Sequence, residues 1–176
     1  MTVTARPIKP GPENAASVPA ALPDPLSSIV LADEAATDQL AARIAALAHS
    51  GDLILLEGGL GSGKTAFARG FLRALGVGEE VPSPTFTLVQ AYETDKGAVW
   101  HFDLYRLKQP EEALELGFEE ARADGIVLVE WPDRLGAHLP GDALTVALAI
   151  DGPTQRSATL SARGDWQARL ASGGLT

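Results

Sequence analysis

The chain has 176 residues, 45% of them hydrophobic and 21% charged, enough for one globular domain with a sizeable core. A formal net charge of −9 argues against gripping nucleic acid unaided, because phosphate contacts require a basic face. The absence of cysteine excludes disulfides and thiolate-held metals, and no apolar run approaches bilayer-spanning length; no basic stretch leading into an apolar one opens the chain, so a cytoplasmic location without membrane contact is expected.

Residues 1–26 combine several prolines with small residues and few large apolar ones, and are expected to be a disordered extension before a domain over 27–176. Asp33 to Ser50 reads as a helix: Asp33 is placed to cap it, Leu40, Ile44 and Leu47 form an apolar stripe, and Gly51 is placed to end it. The apolar run Leu53-Ile54-Leu55-Leu56-Glu57 reads as a buried strand, and Ala66 to Leu75 as a helix that stops at Gly76.

Between that strand and that helix lies Gly58-Gly59-Leu60-Gly61-Ser62-Gly63-Lys64-Thr65, which fits the phosphate-loop pattern G-x-x-x-x-G-K-[ST]. Glycines let the backbone curl so that successive N–H groups point at an anion, and the helix N-terminus adds free donors and partial positive charge. The nucleotide-binding set read here is Gly61, Ser62, Gly63, Lys64, Thr65 and Ala66, with Lys64 on the outer phosphates and the Thr65 hydroxyl on Mg²⁺.

Pro82-Ser83-Pro84-Thr85-Phe86-Thr87 follows, a rigid segment rich in hydroxyls that reads either as a γ-phosphate sensor or as a proline-rich connector. Phe86–Tyr92 and Ala98–Asp103 read as a hairpin around Thr94–Gly97, and Pro110 opens a short helix whose first turn carries Glu111 and Glu112. Ile126–Glu130 is a strongly apolar strand stopped by Pro132. Residues 143–150 and 156–162 read as two more strands, and Asp165 is placed to cap a last short helix with Trp166 and Leu170. This order predicts an α/β fold: a single P-loop NTPase-like domain, its mixed sheet having a parallel core and antiparallel edges, with helices on both faces.

A phosphate loop needs an acid to complete the Mg²⁺ shell or to orient water. Glu130 and Asp103 both end strands; the uniform aliphatic run before Glu130 favours it as the metal acid, direct or through water, leaving Asp103 to hold a metal-bound water or to orient a threonine. His101, alone in an apolar strand, reads as a hydrogen-bonded structural residue rather than a base. Trp131 either covers a nucleotide base or shields the strand end, and Arg106, Arg134 and Arg156 are expected in surface ion pairs more than on phosphate.

Taken together, Leu60–Thr65, Ser83-Pro84-Thr85-Phe86-Thr87-Leu88-Val89, His101-Phe102-Asp103-Leu104-Tyr105-Arg106-Leu107 and Leu128-Val129-Glu130-Trp131-Pro132 resemble, in order, the TsaE family of bacterial ATPases of tRNA threonylcarbamoyladenosine biosynthesis. The resemblance spans roughly Leu31 to Leu160. It implies a small ATPase that uses ATP and Mg²⁺ to reset a complex with TsaB-like and TsaD-like partners, and meets tRNA only through them. It implies weak activity alone, stimulated by those partners. By matching motif, Lys64, Asp103, Glu130 and Thr85 would be the catalytic set, Thr65 and Glu130 the metal ligands, Thr85 and its neighbours a switch, and Glu34 and Thr37 a further nucleotide contact. Gly59, Ala66 and Gln155 depart from the residues common in the family, Asp, Thr and Gly respectively; backbone phosphate contacts survive the first two changes, but a second hydroxyl near the α-phosphate is lost, and the third puts the role of Arg156 in doubt. A small-molecule kinase and a nucleotide-gated binding module with negligible hydrolysis are the alternatives. The acidic stretch containing Glu111, Glu112, Glu115, Glu119 and Glu120 speaks against a second phosphorylated substrate.

Overall fold

A computed structural model describes residues 23–78 and 80–176. The expected extension falls outside the described residues as far as residue 22, while Leu26 N–H already donates to Leu160 O at 2.8 Å. Strands β1 (Ser27–Leu31), β2 (Leu53–Glu57), β3 (Val89–Thr94), β4 (Gly97–Asp103), β5 (Ile126–Glu130), β6 (Leu144–Ile150) and β7 (Arg156–Ala162) form one sheet in the order β1-β7-β6-β2-β5-β4-β3. β6, β2, β5 and β4 run parallel; β7 on one flank and β3 on the other run against them, and the edge strand β1 pairs antiparallel with β7. This is the expected mixed sheet.

The helices divide between the faces. Ile54, Leu56, Ile126 and Leu128 pack towards α1 (Glu34–Leu47), α2 (Lys64–Ala74) and α5 (Asp165–Ser172). Leu53, Leu55, Val127 and Val129 pack towards α3 (Glu111–Glu115), α4 (Phe118–Asp124) and the 3-10 turns of Pro132–His138. Strands covered on both faces must be apolar at every position, which is why β2 and β5 read as unbroken aliphatic runs. Each such buried side chain contributes roughly 1.5–3 kcal/mol, so this stiff centre fixes the strand ends from which the site is built. No helix among the described residues is long and apolar enough to cross a membrane.

Helix α2 ends as expected. Gly76, at φ 88°, lets its own N–H reach Arg73 O and the Val77 N–H reach Leu72 O, both at 3.1 Å, the paired closure of a Schellman motif. Helix α1 is capped by Asp33, whose carboxylate accepts from Ala36 N–H at 2.9 Å, but it stops at Leu47 instead of running to Gly51. Its last carbonyls are taken by side chains from elsewhere: Lys96 Nζ donates to Ala45 O, Ala46 O and Ala48 O, and Arg169 to Leu47 O. Three further readings are corrected. β1 was not anticipated, and its hydrogen-bonded partner β7 lies at the far end of the chain. The strand expected from Phe86 starts at Val89, because Pro84–Leu88 closes a turn through Leu88 N–H to Pro84 O at 2.6 Å, with Leu88 at φ 66°. Asp165 is the first residue of α5, and Gly164 occupies the cap position with no side-chain cap bond.

Candidate functional site

The phosphate loop runs from the end of β2 into α2. Gly58 and Gly63 show why its geometry needs glycine. A Cβ on Gly58, at φ 136°, would lie 2.3 Å from Leu148 O of β6 and 2.5 Å from Ser62 Oγ, so the loop presses directly on the neighbouring strand. Gly63, at φ 105°, turns the chain into the first residue of α2. Lys64 therefore opens the helix, and its side chain folds back over the loop: Nζ donates to Gly58 O at 2.7 Å and Gly59 O at 2.9 Å, and sits 3.9 Å from the centre of the Trp131 ring. Burial lowers the Lys64 pKa, and the carboxylates of Glu130, Asp103 and Asp133 pull in the opposite direction. The ammonium is thus held in a partly dry, acid-lined place on neutral carbonyls, which a phosphate oxygen would replace with a charge-assisted bond.

The two candidate acids stand on adjacent parallel strands, Asp103 paired with Glu130 in the β4–β5 ladder, and both are buried. Each has its own partners. Thr65 Oγ1 donates towards both oxygens of Glu130, at 2.9 Å and 3.1 Å, and His101 Nε2 lies 2.9 Å from Glu130 Oε1. Thr85 Oγ1 donates to Asp103 Oδ2 at 2.7 Å, Tyr105 N–H donates to Oδ1 at 3.0 Å, and the Ser83 hydroxyl is 2.7 Å from that of Thr85. The sequence favours Glu130 as the metal acid and leaves Asp103 to hold a water or orient a threonine; the fold couples Glu130 to the loop threonine and Asp103 to Thr85 of the Ser83–Thr87 segment.

A cavity of about 310 Å³ opens between them, lined by Gly61, Gly63, Lys64, Thr65, Ala66, Thr85, Asp103 and Glu130, with Leu60, Tyr105 and Trp131 at its wall. A second, of about 390 Å³, lies across the loop, sharing Gly61, Gly63 and Ala66 and adding Asp33, Glu34, Thr37, Pro153, Thr154 and Arg156. The start of α1, with Glu34 and Thr37, is therefore brought to the loop. Ser62 is the one loop residue of the expected set that lines neither; its Oγ is buried with no hydrogen-bond partner among the described residues.

Several residues sit where sequence reasoning did not put them. Arg156 lies against the loop itself, donating to Gly61 O at 3.2 Å and to Gly152 O and Gln155 O, instead of joining an ion pair. Arg106 stacks 4.5 Å from the Phe86 ring, while Arg134 does reach Asp133 at 3.8 Å. Trp131, at φ 60°, supports Lys64 on one side and meets the Tyr105 ring at 4.9 Å; it faces the acids and not the cavity at α1. Tyr105, named in the sequence only within the His101–Leu107 stretch, receives no role there, because its position two residues after Asp103 carries no signal of its own. Thr154, which lines the second cavity, lies between the strands read at 143–150 and 156–162 and likewise carries none.

The donors suit a hard cation and phosphates. Among the described residues no three His, Cys, Asp or Glu converge to form a metal site. A hydroxyl and one carboxylate, Thr65 and Glu130, could hold Mg²⁺ as a sparse oxygen set whose shell nucleotide phosphates would complete. Room for phosphate lies beside Gly61 and Gly63, where an added Cβ would meet no atom within 4 Å.

Comparison with known proteins agrees with this geometry. The chain is 40% identical over 123 residues to the tRNA threonylcarbamoyladenosine biosynthesis protein TsaE of Rickettsia felis, covering 69% of this chain and 72% of that protein. It is 37% identical over 130 residues to the protein of the same name from Bacillus subtilis, covering 73% and 81%. The crystal structure of Bacillus subtilis YdiB matches with a TM-score of 0.71 at 30% identity, over 84% of this chain and 93% of that one. The family model described as threonylcarbamoyl adenosine biosynthesis protein TsaE matches residues 31–158, a span that takes in the phosphate loop, Thr85, both acids and Arg156. The chain belongs to the TsaE family.

Proposed function

We propose that this chain is the ATP-binding and ATP-hydrolysing subunit of the machinery that forms threonylcarbamoyladenosine at position 37 of ANN-decoding tRNAs. It works in the cytoplasm with TsaB-like and TsaD-like partners, reaches tRNA only through them, and uses ATP turnover to reset the complex. The observation that carries the ATP reading is the convergence on one cavity of the phosphate loop, the Thr65–Glu130 pair and the Thr85–Asp103 pair. The family of its relatives carries the pathway.

The residues divide the work as follows. Lys64 exchanges the Gly58 and Gly59 carbonyls for phosphate oxygens, a stronger acceptor in a partly desolvated place. Thr65 and Glu130 hold Mg²⁺, which when bound with ATP neutralises charge on the phosphates. Asp103 is the acid that orients water, and Thr85, bonded to it, ties the Ser83–Thr87 segment to the state of the site. Glu34 and Thr37 contact the nucleotide from across the loop.

Steady-state phosphate release tests this. The expected result is slow release by the chain alone and faster release on adding the TsaB-like and TsaD-like proteins. Absence of stimulation counts against the reading, and nucleotide-dependent partner binding without turnover would favour the gated module instead.

A further inference from the structure

We propose that His101 is a positioning residue that selects which oxygen of Glu130 is presented to the nucleotide cavity. The inference rests on the reading of Thr65 and Glu130 as the Mg²⁺ ligands.

His101 lies within β4, paired with Leu128 two residues before Glu130 on β5, and is fully buried. A carboxylate can only accept, so the 2.9 Å contact between His101 Nε2 and Glu130 Oε1 is a hydrogen bond in which the imidazole donates. The other ring nitrogen, Nδ1, has no partner among the described residues. The imidazole thus brings a polar atom into an apolar strand where it is not satisfied, and its polar contact is spent on Glu130. An apolar residue would spare the unpaired Nδ1 but would take from the buried Glu130 carboxylate one of its donors, so the ring is placed here for its Nε2 contact with Glu130.

What the bond supplies is asymmetry. Thr65 donates towards both Glu130 oxygens, at 2.9 Å and 3.1 Å, and so distinguishes little between them. His101 engages Oε1 alone, which pins the carboxylate's rotation and leaves Oε2, among the described residues, with only the Thr65 hydroxyl as a side-chain donor, in a residue that lines the cavity. Second partners that orient a metal-binding carboxylate in this way typically tune metal affinity by about ten- to a hundredfold.

The test is equilibrium binding of a fluorescent, slowly hydrolysed ATP analogue, titrated with and without Mg²⁺, on the full chain and three variants. His101→Phe keeps the bulk and removes the donor. In His101→Gln the side-chain amide restores a donor near the Nε2 position. His101→Asn keeps a polar group that is too short to reach Glu130. The expected result is unchanged affinity without Mg²⁺ in all, a Mg²⁺-dependent gain reduced about tenfold or more in His101→Phe and His101→Asn, and recovery of most of that gain in His101→Gln. If His101→Phe does not fold, the contrast between His101→Asn and His101→Gln decides. A wild-type Mg²⁺ gain in His101→Asn, or a His101→Gln as impaired as His101→Asn, overturns the positioning role. A wild-type chain that shows no Mg²⁺ gain overturns the underlying assignment of Thr65 and Glu130, and the proposal with it.

Discussion

Thr85→Val changes the shape of one side chain very little and removes one donor, yet it should loosen the segment that carries the exposed Phe86. The lost bond is the 2.7 Å contact to Asp103 Oδ2. Asp103 is only 3% exposed, so little water can replace the missing hydroxyl, and Oδ2 is left without it while Oδ1 keeps the Tyr105 N–H. Hydrogen bonds to a charged group contribute about 1.5–3 kcal/mol. For a folded body of this size each kcal/mol moves the melting temperature by roughly 2–4 °C, so Thr85→Val should lower it by about 3–12 °C. A double-mutant cycle with Asp103→Ala, followed by urea unfolding, isolates the pair. The expected coupling is about 1.5 kcal/mol or more, whereas independent sites add to within roughly 0.5 kcal/mol. A coupling inside that margin would refute the view that Asp103 holds the Ser83–Thr87 segment. The same tether links the site to the surface, so Thr85→Val should also blunt stimulation of phosphate release by the partners.

Lys64→Ala should weaken ATP binding by roughly ten- to a hundredfold, the equivalent of one charge-assisted bond; unchanged affinity in a calorimetric titration would remove Lys64 from the phosphate site. Gly58→Ala should destabilise the fold by more than about 2 kcal/mol, because it forces a side chain to φ 136° and into Leu148 O, whereas Gly59→Ala, with no atom within 4 Å and no positive φ, should be near neutral. Equal urea midpoints for the two would contradict the loop geometry. Glu57→Gln should raise the melting temperature at neutral pH. Burial, with Asp133 adding to it, lifts the folded-state pKa of Glu57 above its ordinary 4.5, so the ionised group opposes folding; that penalty is full above the raised pKa and gone below 4.5. The gain should therefore vanish by roughly pH 4, and a gain that persists in acid would refute the cause assigned to it.

What the sequence made legible was local. The phosphate loop, the aliphatic strands β2 and β5 and the Gly76 stop each depend on residues within a few positions of one another, and their pattern survives folding. What escaped depends on contacts between distant segments. β1 has a hydrogen-bonded partner only at β7, so a short stretch beginning with two serines carries no strand signal of its own. Phe86 and Thr87 have strand-forming side chains, but Leu88 N–H bonds to Pro84 O and Leu88 O accepts from Asp103 N–H, and these bonds override local preference. Helix α1 stops where Lys96 and Arg169 satisfy its carbonyls, a termination that no reading of α1 alone could place. In the site, the two acids and their different tasks were legible from strand ends and strand character, but which threonine each meets came only from the fold: Asp103 and Glu130 pair across the ladder, and each meets a different one. Arg156 was discounted because its neighbour Gln155 departs from a familiar pair, yet the β6–β7 turn delivers it to Gly61.

Nucleoside mass spectrometry of tRNA from cells depleted of this protein bears most directly on the proposed function, with the wild-type chain or Lys64→Ala resupplied. The account predicts that threonylcarbamoyladenosine falls on depletion, returns with the wild-type chain, and does not return with Lys64→Ala. Undiminished threonylcarbamoyladenosine after depletion, or full recovery with Lys64→Ala, would contradict it.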